Sequence, residues 1–347
     1  MTDTKYEILR ALRESTGYIS GQKLSGKIGI SRTAVWKHIR SLEEEGYGIE
    51  AVNRKGYRLA GIPDTIAARE VGSRLKTKRM GRSIRYFSSI DSTNQYAKRV
   101  AEGHGGITGD EEYSGSTYGD GNDIDGMLII ADEQTAGKGR SGRHWVTPPK
   151  EAIAFSLILK PKLDPGRISM VTLVMGLAVV NAVNSLYSLN AGIKWPNDAV
   201  IGGKKLCGIL TEMSAEIGEV HYIVIGVGIN ANLTAFPEEI SSIATSLKLE
   251  LGHDINRAQL IASVMEEFER LYTLFEEKSS LEDLKDEYNA VCLNMNRPVR
   301  VLDPKGEYTG YSRGINEDGS LIVEREDGTV SEVYSGEVSV RGVYGYV

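Results

Sequence analysis

Gln134 to Pro161 reads QTAGKGRSGRHWVTPPKEAIAFSLILKP. Its Gly137-Lys138-Gly139-Arg140-Ser141-Gly142 segment has the G-x-G-x-x-G spacing of a dinucleotide-binding turn. Such a turn needs a helix directly after the third glycine, so that the helix N-terminus meets the pyrophosphate. Here Pro148 and Pro149 follow, and AIAFSLILKP then reads as a strand. On the other side GMLIIADEQ (126–134) reads as a buried strand. The glycine loop therefore joins two strands, which removes the dinucleotide reading. A P-loop is removed too, because G-x-x-x-x-G-K-[ST] is absent. What surrounds the loop is a mixed α/β domain.

The loop itself is cationic. Lys138, Arg140 and Arg143 suit a phosphate, arginine through paired contacts, and the glycines let backbone approach a ligand. A solvated basic turn is the plainer alternative. Two further stretches weigh against it. AGIKWPNDAVIGGKKLCGILTEM (191–213) puts Lys194 at a strand end, followed by a glycine turn and a second strand. YIVIGVGIN (222–230) carries Gly226 and Gly228 in a strand, where bare backbone lets a ligand lie against the sheet. In IRYFSSIDSTNQYAKRVAE, Ser92, Thr93 and Asn94 stand at a strand-to-helix junction, to cap the helix or to bind a ligand. Capping is the simpler expectation. Together these strand ends describe a cleft for an anion and a flat small molecule.

The chain has 347 residues, enough for two or three domains, with 41% apolar and 25% charged residues. Cys207 and Cys292 are far apart and form no C-x-x-C pair, which suits a reducing cytoplasm. No secretory leader pattern is visible. VTLVMGLAVVNAV (171–183) is too short to span a bilayer and reads as a buried helix, so no membrane role is expected. Residues 103–126 hold eight glycines and six acids but no Lys or Arg, and read as a flexible surface segment. Its DGNDIDG lacks calcium-loop spacing, and no metal-ligand set is read anywhere.

Charge is uneven. Residues 1–60 hold 11 Lys and Arg against 7 Asp and Glu, and the remainder 30 against 40. The basic segment opens with an amphipathic helix bearing Tyr6, Ile8, Leu9 and Leu12. Ser20 is placed to cap a second helix, Gly29 to supply a turn and Ser31 to cap a third. Val35, Ile39 and Leu42 face inward on that third helix, leaving Arg32, Thr33, Trp36, Lys37 and Arg40 outward. This is a helix-turn-helix, whose second helix enters a major groove. IEAVNRKGYRLAG then reads as a hairpin with Arg54 and Lys55 at its tip, a wing able to touch phosphates. A winged helix used only for protein contacts is the alternative. AGIPD (60–64) reads as a hinge.

DSTN, QTAGKGRSGRHW, KWPND followed by KKLCGILTE, and GVGIN occur in the order and context of biotin–protein ligases. With a winged helix in front, the chain resembles the bifunctional type that also represses transcription. The resemblance implies an α+β multidomain fold: a winged helix-turn-helix over 1–60, a central biotin/lipoate-ligase-type domain over 65–290 and an SH3-like barrel over 295–347. The short strands and Asp-Gly turns after Arg297 already read as all-β.

It implies ATP and biotin as substrates, Mg²⁺ with the ATP, and a biotin carboxyl carrier domain as acceptor. Operator DNA and a second copy in a homodimer are the other partners it implies. By matched motif, Ser92, Thr93, Asn94 and Gln134 would line the biotin pocket, and Gly137, Lys138, Gly139 and Arg140 would wrap biotin and the adenylate phosphate. Lys194 would bridge carboxylate and α-phosphate as the first catalytic residue beside Arg140. Trp145 would pack on adenine and Asn230 hydrogen-bond it. Lysine at 138 departs from the family's more usual arginine, and 103–126 is longer than its usual connection. A lipoate–protein ligase and a non-catalytic biotin sensor are the rivals.

Overall fold

The computed structural model describes residues 4–104, 124–216, 219–303, 306–335 and 339–342. Most of the acidic, glycine-rich stretch, at 105–123, therefore lies outside the described residues.

The N-terminal module is α1 (Thr4–Glu14), α2 (Gly21–Ile28), α3 (Arg32–Glu44) and the hairpin β1 (Gly48–Val52) and β2 (Gly56–Gly61). Ser20 and Ser31 both cap as expected: their hydroxyls accept from Lys23 N and Ala34 N, each at 3.1 Å. Gly29, at φ 77°, ends α2 in the left-handed conformation that admits glycine most readily. Ile8, Leu9, Leu12, Leu24, Val35, Ile39 and Leu42 form the module's own core. Tyr6, also on α1, packs instead into the core of the central domain.

The central domain runs through α4 (Ala68–Gly72), β3 (Ile84–Ile90), α5 (Thr93–Ala101), β4 (Leu128–Gln134), β5 (Ala152–Leu159), α6 (Ile168–Tyr187), β6 (Gly192–Lys194), β7 (Asp198–Ile201), β8 (Lys204–Glu216) and β9 (Glu219–Asn230). It continues through α7 (Glu238–Ser241), α8 (Leu247–Leu251), α9 (Arg257–Lys278) and α10 (Lys285–Val291). The sheet order is β3-β4-β5-β9-β8-β7-β6; β3 and β4 are parallel and every other neighbour is antiparallel. Alternation divides the strands between two cores. Leu128 and Ile130 of β4 face α6 and α9, while Ile129 and Ala131 face α5. The apolar stretch at 171–183 is indeed the middle of a core helix, α6, with only Asn181 and Thr172 less than buried among its residues.

Strands β10 (Pro298–Leu302), β11 (Tyr308–Ile315), β12 (Leu321–Glu324), β13 (Val330–Val333) and β14 (Ser339–Gly342) make a separate antiparallel sheet, ordered β13-β12-β11-β10-β14. It docks on the body through Trp195, whose indole Nε1 donates to Gly319 O at 3.1 Å.

One buried charge cluster ties the N-terminal module to the body, and a second ties the hinge to it. Glu70 of α4 is fully buried and accepts from the Arg13 guanidinium, from Arg74 Nε at 2.8 Å and from the Tyr47 hydroxyl at 2.8 Å. Arg257, also fully buried, donates to hinge Asp64 at 3.2 Å, to Asp132 of β4 at 2.7 Å and to Ala152 O at 3.1 Å. A buried ion costs several kcal/mol unless paired in this way.

Candidate active site

The cleft lies where the N-terminus of α5, the end of β4, the β4–β5 loop and the middles of β8 and β9 converge. Ser92, Thr93, Asn94, Gln134, Lys138, Gly139, Arg140, Trp145, Asn197 and Lys205 line it over a floor that includes Gly208, Gly226 and Gly228. Ten residues from five parts of the chain thus meet on three glycines.

Its polar end is built on α5. Ser92 is the N-cap residue by position, but its side chain makes no capping hydrogen bond. The capping expectation for this trio is corrected: the side chains of Thr93 and Asn94 face neighbouring strands. Thr93 N and Oγ1 reach Gln134 Oε1 at 2.9 and 3.1 Å, and Gln134 Nε2 donates to Thr147 Oγ1 at 3.1 Å. Asn94 Nδ2 donates to Glu212 Oε2 at 2.8 Å, and Ser156 Oγ lies within hydrogen-bond distance of Thr93 and Asn94.

The glycine loop joins antiparallel β4 and β5, as its flanking strands predict. It folds into a small hairpin. Trp145 N donates to Gly137 O at 3.0 Å, Gly139 N donates to Arg143 O at 2.7 Å, and Lys138 pairs with His144 between them. A side chain at Gly137 would meet Trp145 O at 2.3 Å, so that glycine closes the hairpin rather than lining the cleft. Arg140 Nη1 donates to Asn197 Oδ1 at 2.9 Å, pinning the loop across the cleft. Burial, together with the like charge of Arg143, pulls the Arg140 pKa down against the attraction of Asp198. The guanidinium nevertheless stays charged.

Trp145 lies on the floor. A Cβ on Gly228 would come within 2.3 Å of its indole, and one on Gly208 within 3.2 Å. With the ring seated there the cleft keeps about 50 Å³ of free space, far below the ~300 Å³ or more of a small-molecule pocket. A flat ligand on Gly228 therefore moves this ring or stacks on it.

Lys194 and Asn230 are both buried. Lys194 ends β6, 8% exposed, three residues before Asn197 of the cleft wall. Lys205 lies in the cleft with Lys138, its Nζ 2.7 Å from Asp198 Oδ1 and 5.6 Å from the centroid of the Trp145 ring. Asn230 lies behind it, its amide donating to Thr245 O at 3.0 Å and Lys205 O at 3.4 Å. Asn197, Lys205, Ser156 and Glu212 are site residues that motif reading missed.

On the N-terminal module, Arg32, Thr33, Trp36, Lys37 and Arg40 are all exposed on α3, with the Arg40 guanidinium 5.8 Å over Trp36. Ser31 spends its hydroxyl on the cap. Arg54 and Lys55 stand exposed at the wing tip, Lys55 reaching over Tyr18 at 5.9 Å.

Three family models match the chain: an HTH domain over 4–58, the biotin/lipoate A/B protein ligase family over 122–230 and the biotin protein ligase C-terminal domain over 295–341. The chain is 37% identical to the bifunctional ligase/repressor BirA of Bacillus spizizenii over 325 residues, which is 93% of this chain and 94% of that relative. It is 30% identical to the protein of the same name from Escherichia coli, over 96% of each. The biotin protein ligase of Aquifex aeolicus, solved in complex with biotin and ATP, superimposes with a TM-score of 0.62 at 30% identity. That match covers 75% of this chain and 99% of the other. From its three modules, its cleft and these likenesses along nearly its whole length, the chain belongs to the family of bifunctional biotin ligase/repressors.

Proposed function

We propose that the cleft joins biotin to ATP and passes the biotinyl group to a lysine of a biotin carboxyl carrier domain. The observation that carries this reading is the convergence of Lys138, Arg140 and Lys205 beside the polar Thr93–Gln134 end of the cleft. A biotin carboxylate oxygen attacks the α-phosphorus of ATP, the bond to the β-phosphate oxygen breaks, and biotinyl-5′-adenylate and pyrophosphate form. The carrier lysine, as a free amine, then attacks the acyl carbon, and AMP leaves.

Both partners of the first step are anions, so cations must lie where charge gathers. Lys194 bridges carboxylate and α-phosphate, as the motif match implies, and Lys205 adds a second cation beside the Trp145 seat. Lys138 and Arg140 hold the phosphate from the loop side. Ser92, Thr93 and Gln134 receive the ureido ring, and Trp145 stacks on adenine. The loop hairpin, drawn to Asn197 by Arg140, excludes water from the mixed anhydride. Among the described residues no group of three His, Cys, Asp or Glu is arranged to hold a metal. Mg²⁺ therefore fits as an ion carried by the triphosphate, whose charge it offsets.

The exposed cationic face of α3 and the Arg54–Lys55 wing support operator binding, with two copies of the chain on two half-sites. Buried, unpaired Cys207 and Cys292 and the need for ATP and DNA support a cytoplasmic setting. Incubating the protein with ATP, an apo carrier domain and either biotin or lipoate tests the ligase. Mass gain with biotin alone is expected; gain with lipoate alone would overturn the assignment.

A further inference from the structure

The polar end of the cleft rests on a chain of hydrogen bonds whose protons can be counted. Glu212 Oε1 accepts from Lys98 Nζ at 2.7 Å, and Oε2 accepts from Asn94 Nδ2 at 2.8 Å. Burial works to raise the Glu212 pKa, but these hydrogen bonds and the charges of Lys98 and Lys138 hold it below the usual carboxylate range. It is therefore an ionised acceptor. Asn94 Nδ2 also faces Leu210 O at 3.3 Å. With its NH₂ held on that side, Asn94 turns Oδ1 toward Ser156 Oγ, 2.6 Å away. Bare Gly226 makes room, since a Cβ there would lie 2.1 Å from that oxygen.

An amide oxygen cannot donate, so the single hydroxyl proton of Ser156 lies on its bond to Asn94. The 2.8 Å contact between Ser156 and Thr93 then uses the proton of Thr93. The other neighbour of Thr93 Oγ1 is Gln134 Oε1 at 3.1 Å, again only an acceptor, and its orientation is set by Thr93 N–H. Two protein acceptors thus claim the one Thr93 proton. Its oxygen turns only lone pairs toward the cleft.

We infer that Glu212, acting through Asn94 and Ser156, fixes Thr93 as a hydrogen-bond acceptor and so selects a ligand that brings an N–H donor to this end of the cleft. Glu212 is a positioning residue for specificity. The inference rests on the biotin assignment above: the ureido ring offers N–H groups, whereas a dithiolane ring offers none. Losing Glu212 releases the Asn94 amide to flip, which lets Ser156 donate to Thr93 and occupy a lone pair the ligand needs.

Calorimetric titration of the full chain with biotin, with each mono-N-methyl ureido derivative and with ATP tests this. Wild type binds at least one methylated derivative about tenfold or more weakly than biotin, the worth of one hydrogen bond with its unmet partner. Glu212→Leu weakens biotin about tenfold, narrows that discrimination and leaves ATP affinity unchanged. Glu212→Gln, which keeps an oxygen for Asn94, restores most of both. Equal loss for biotin and its methylated derivatives in Glu212→Leu overturns the inference. So does wild type that binds both methylated forms as well as biotin, a result independent of how any variant folds. Failure of wild type to bind biotin at all would instead overturn the ligand assignment.

Discussion

Lys205 holds its ammonium 5.6 Å from the centre of the Trp145 ring while pairing with Asp198 at 2.7 Å, so one lysine touches the seat of the flat ligand and the wall beside it. Lys194, eleven residues earlier at the end of β6, is buried. Lys205→Ala is expected to slow adenylate formation by about 10²–10³-fold, the usual cost of one preorganised charge-stabilising group. Lys194→Met is expected to slow it by at least as much, as the motif match implies. Pyrophosphate release assays on both variants test this; adenylation by Lys194→Met within about tenfold of wild type would move the role to Lys205.

Gly228 is the seat of the Trp145 indole, and no side chain fits between them. Gly228→Val is expected to expel the ring and block the floor, weakening ATP at least tenfold while biotin affinity at the α5 end stays near wild type. Separate titrations with the two ligands measure this. Loss of biotin alone would mean the flat group lies elsewhere.

Glu212 also makes stability depend on pH. Its folded pKa is depressed below the ordinary 4.5, so its contribution is complete above the unfolded value and is lost as pH falls through the folded one. Wild type should therefore be more stable than Glu212→Gln at pH 7, and the gap should close as the pH drops below about 4.5, the unfolded reference. Denaturant titrations at several pH values test the point; an unchanging gap would show that the carboxylate is not the source.

The wing makes a prediction about salt. Arg54 and Lys55 are exposed at the hairpin tip, where, in the operator binding proposed above, they would meet phosphate rather than base edges. Replacing both with Ala should weaken all sequences alike and reduce the slope of log affinity against log salt by about 0.9 for each phosphate contact removed. Arg32→Ala, at the start of α3, should instead relax preference among operator variants. Binding isotherms at several salt concentrations separate the two effects.

Particular residues show how far sequence carries. The strand-loop-strand identity of the glycine motif followed from Pro148, Pro149 and the apolar runs on each side, because those signals are local. The helix caps at Ser20 and Ser31 were legible for the same reason. Lys205 was hidden by a register shift. Between β7 and β8, Ala199 pairs with Cys207 but Val200 with Lys205, so β8 carries an extra residue there. Strict alternation groups Lys205 with core-facing Cys207 and Ile209; the bulge turns it toward the cleft beside Gly208. Thr93 and Asn94 were misjudged as caps because their partners, Gln134, Ser156 and Glu212, come from strands 40 or more residues away. Local spacing holds no record of such contacts.

The anchoring of the DNA-binding module has a consequence for how the chain can be cut. Tyr6 fills a socket against Gly72 and Ile84 of the ligase body, and Glu70 depends on Arg13 and Tyr47 from the other side of the hinge. A ligase severed after the wing would keep an empty aromatic socket and a buried carboxylate short of two partners. Shedding the operator-reading half is therefore no clean truncation. It calls for compensating substitutions at the socket and at position 70.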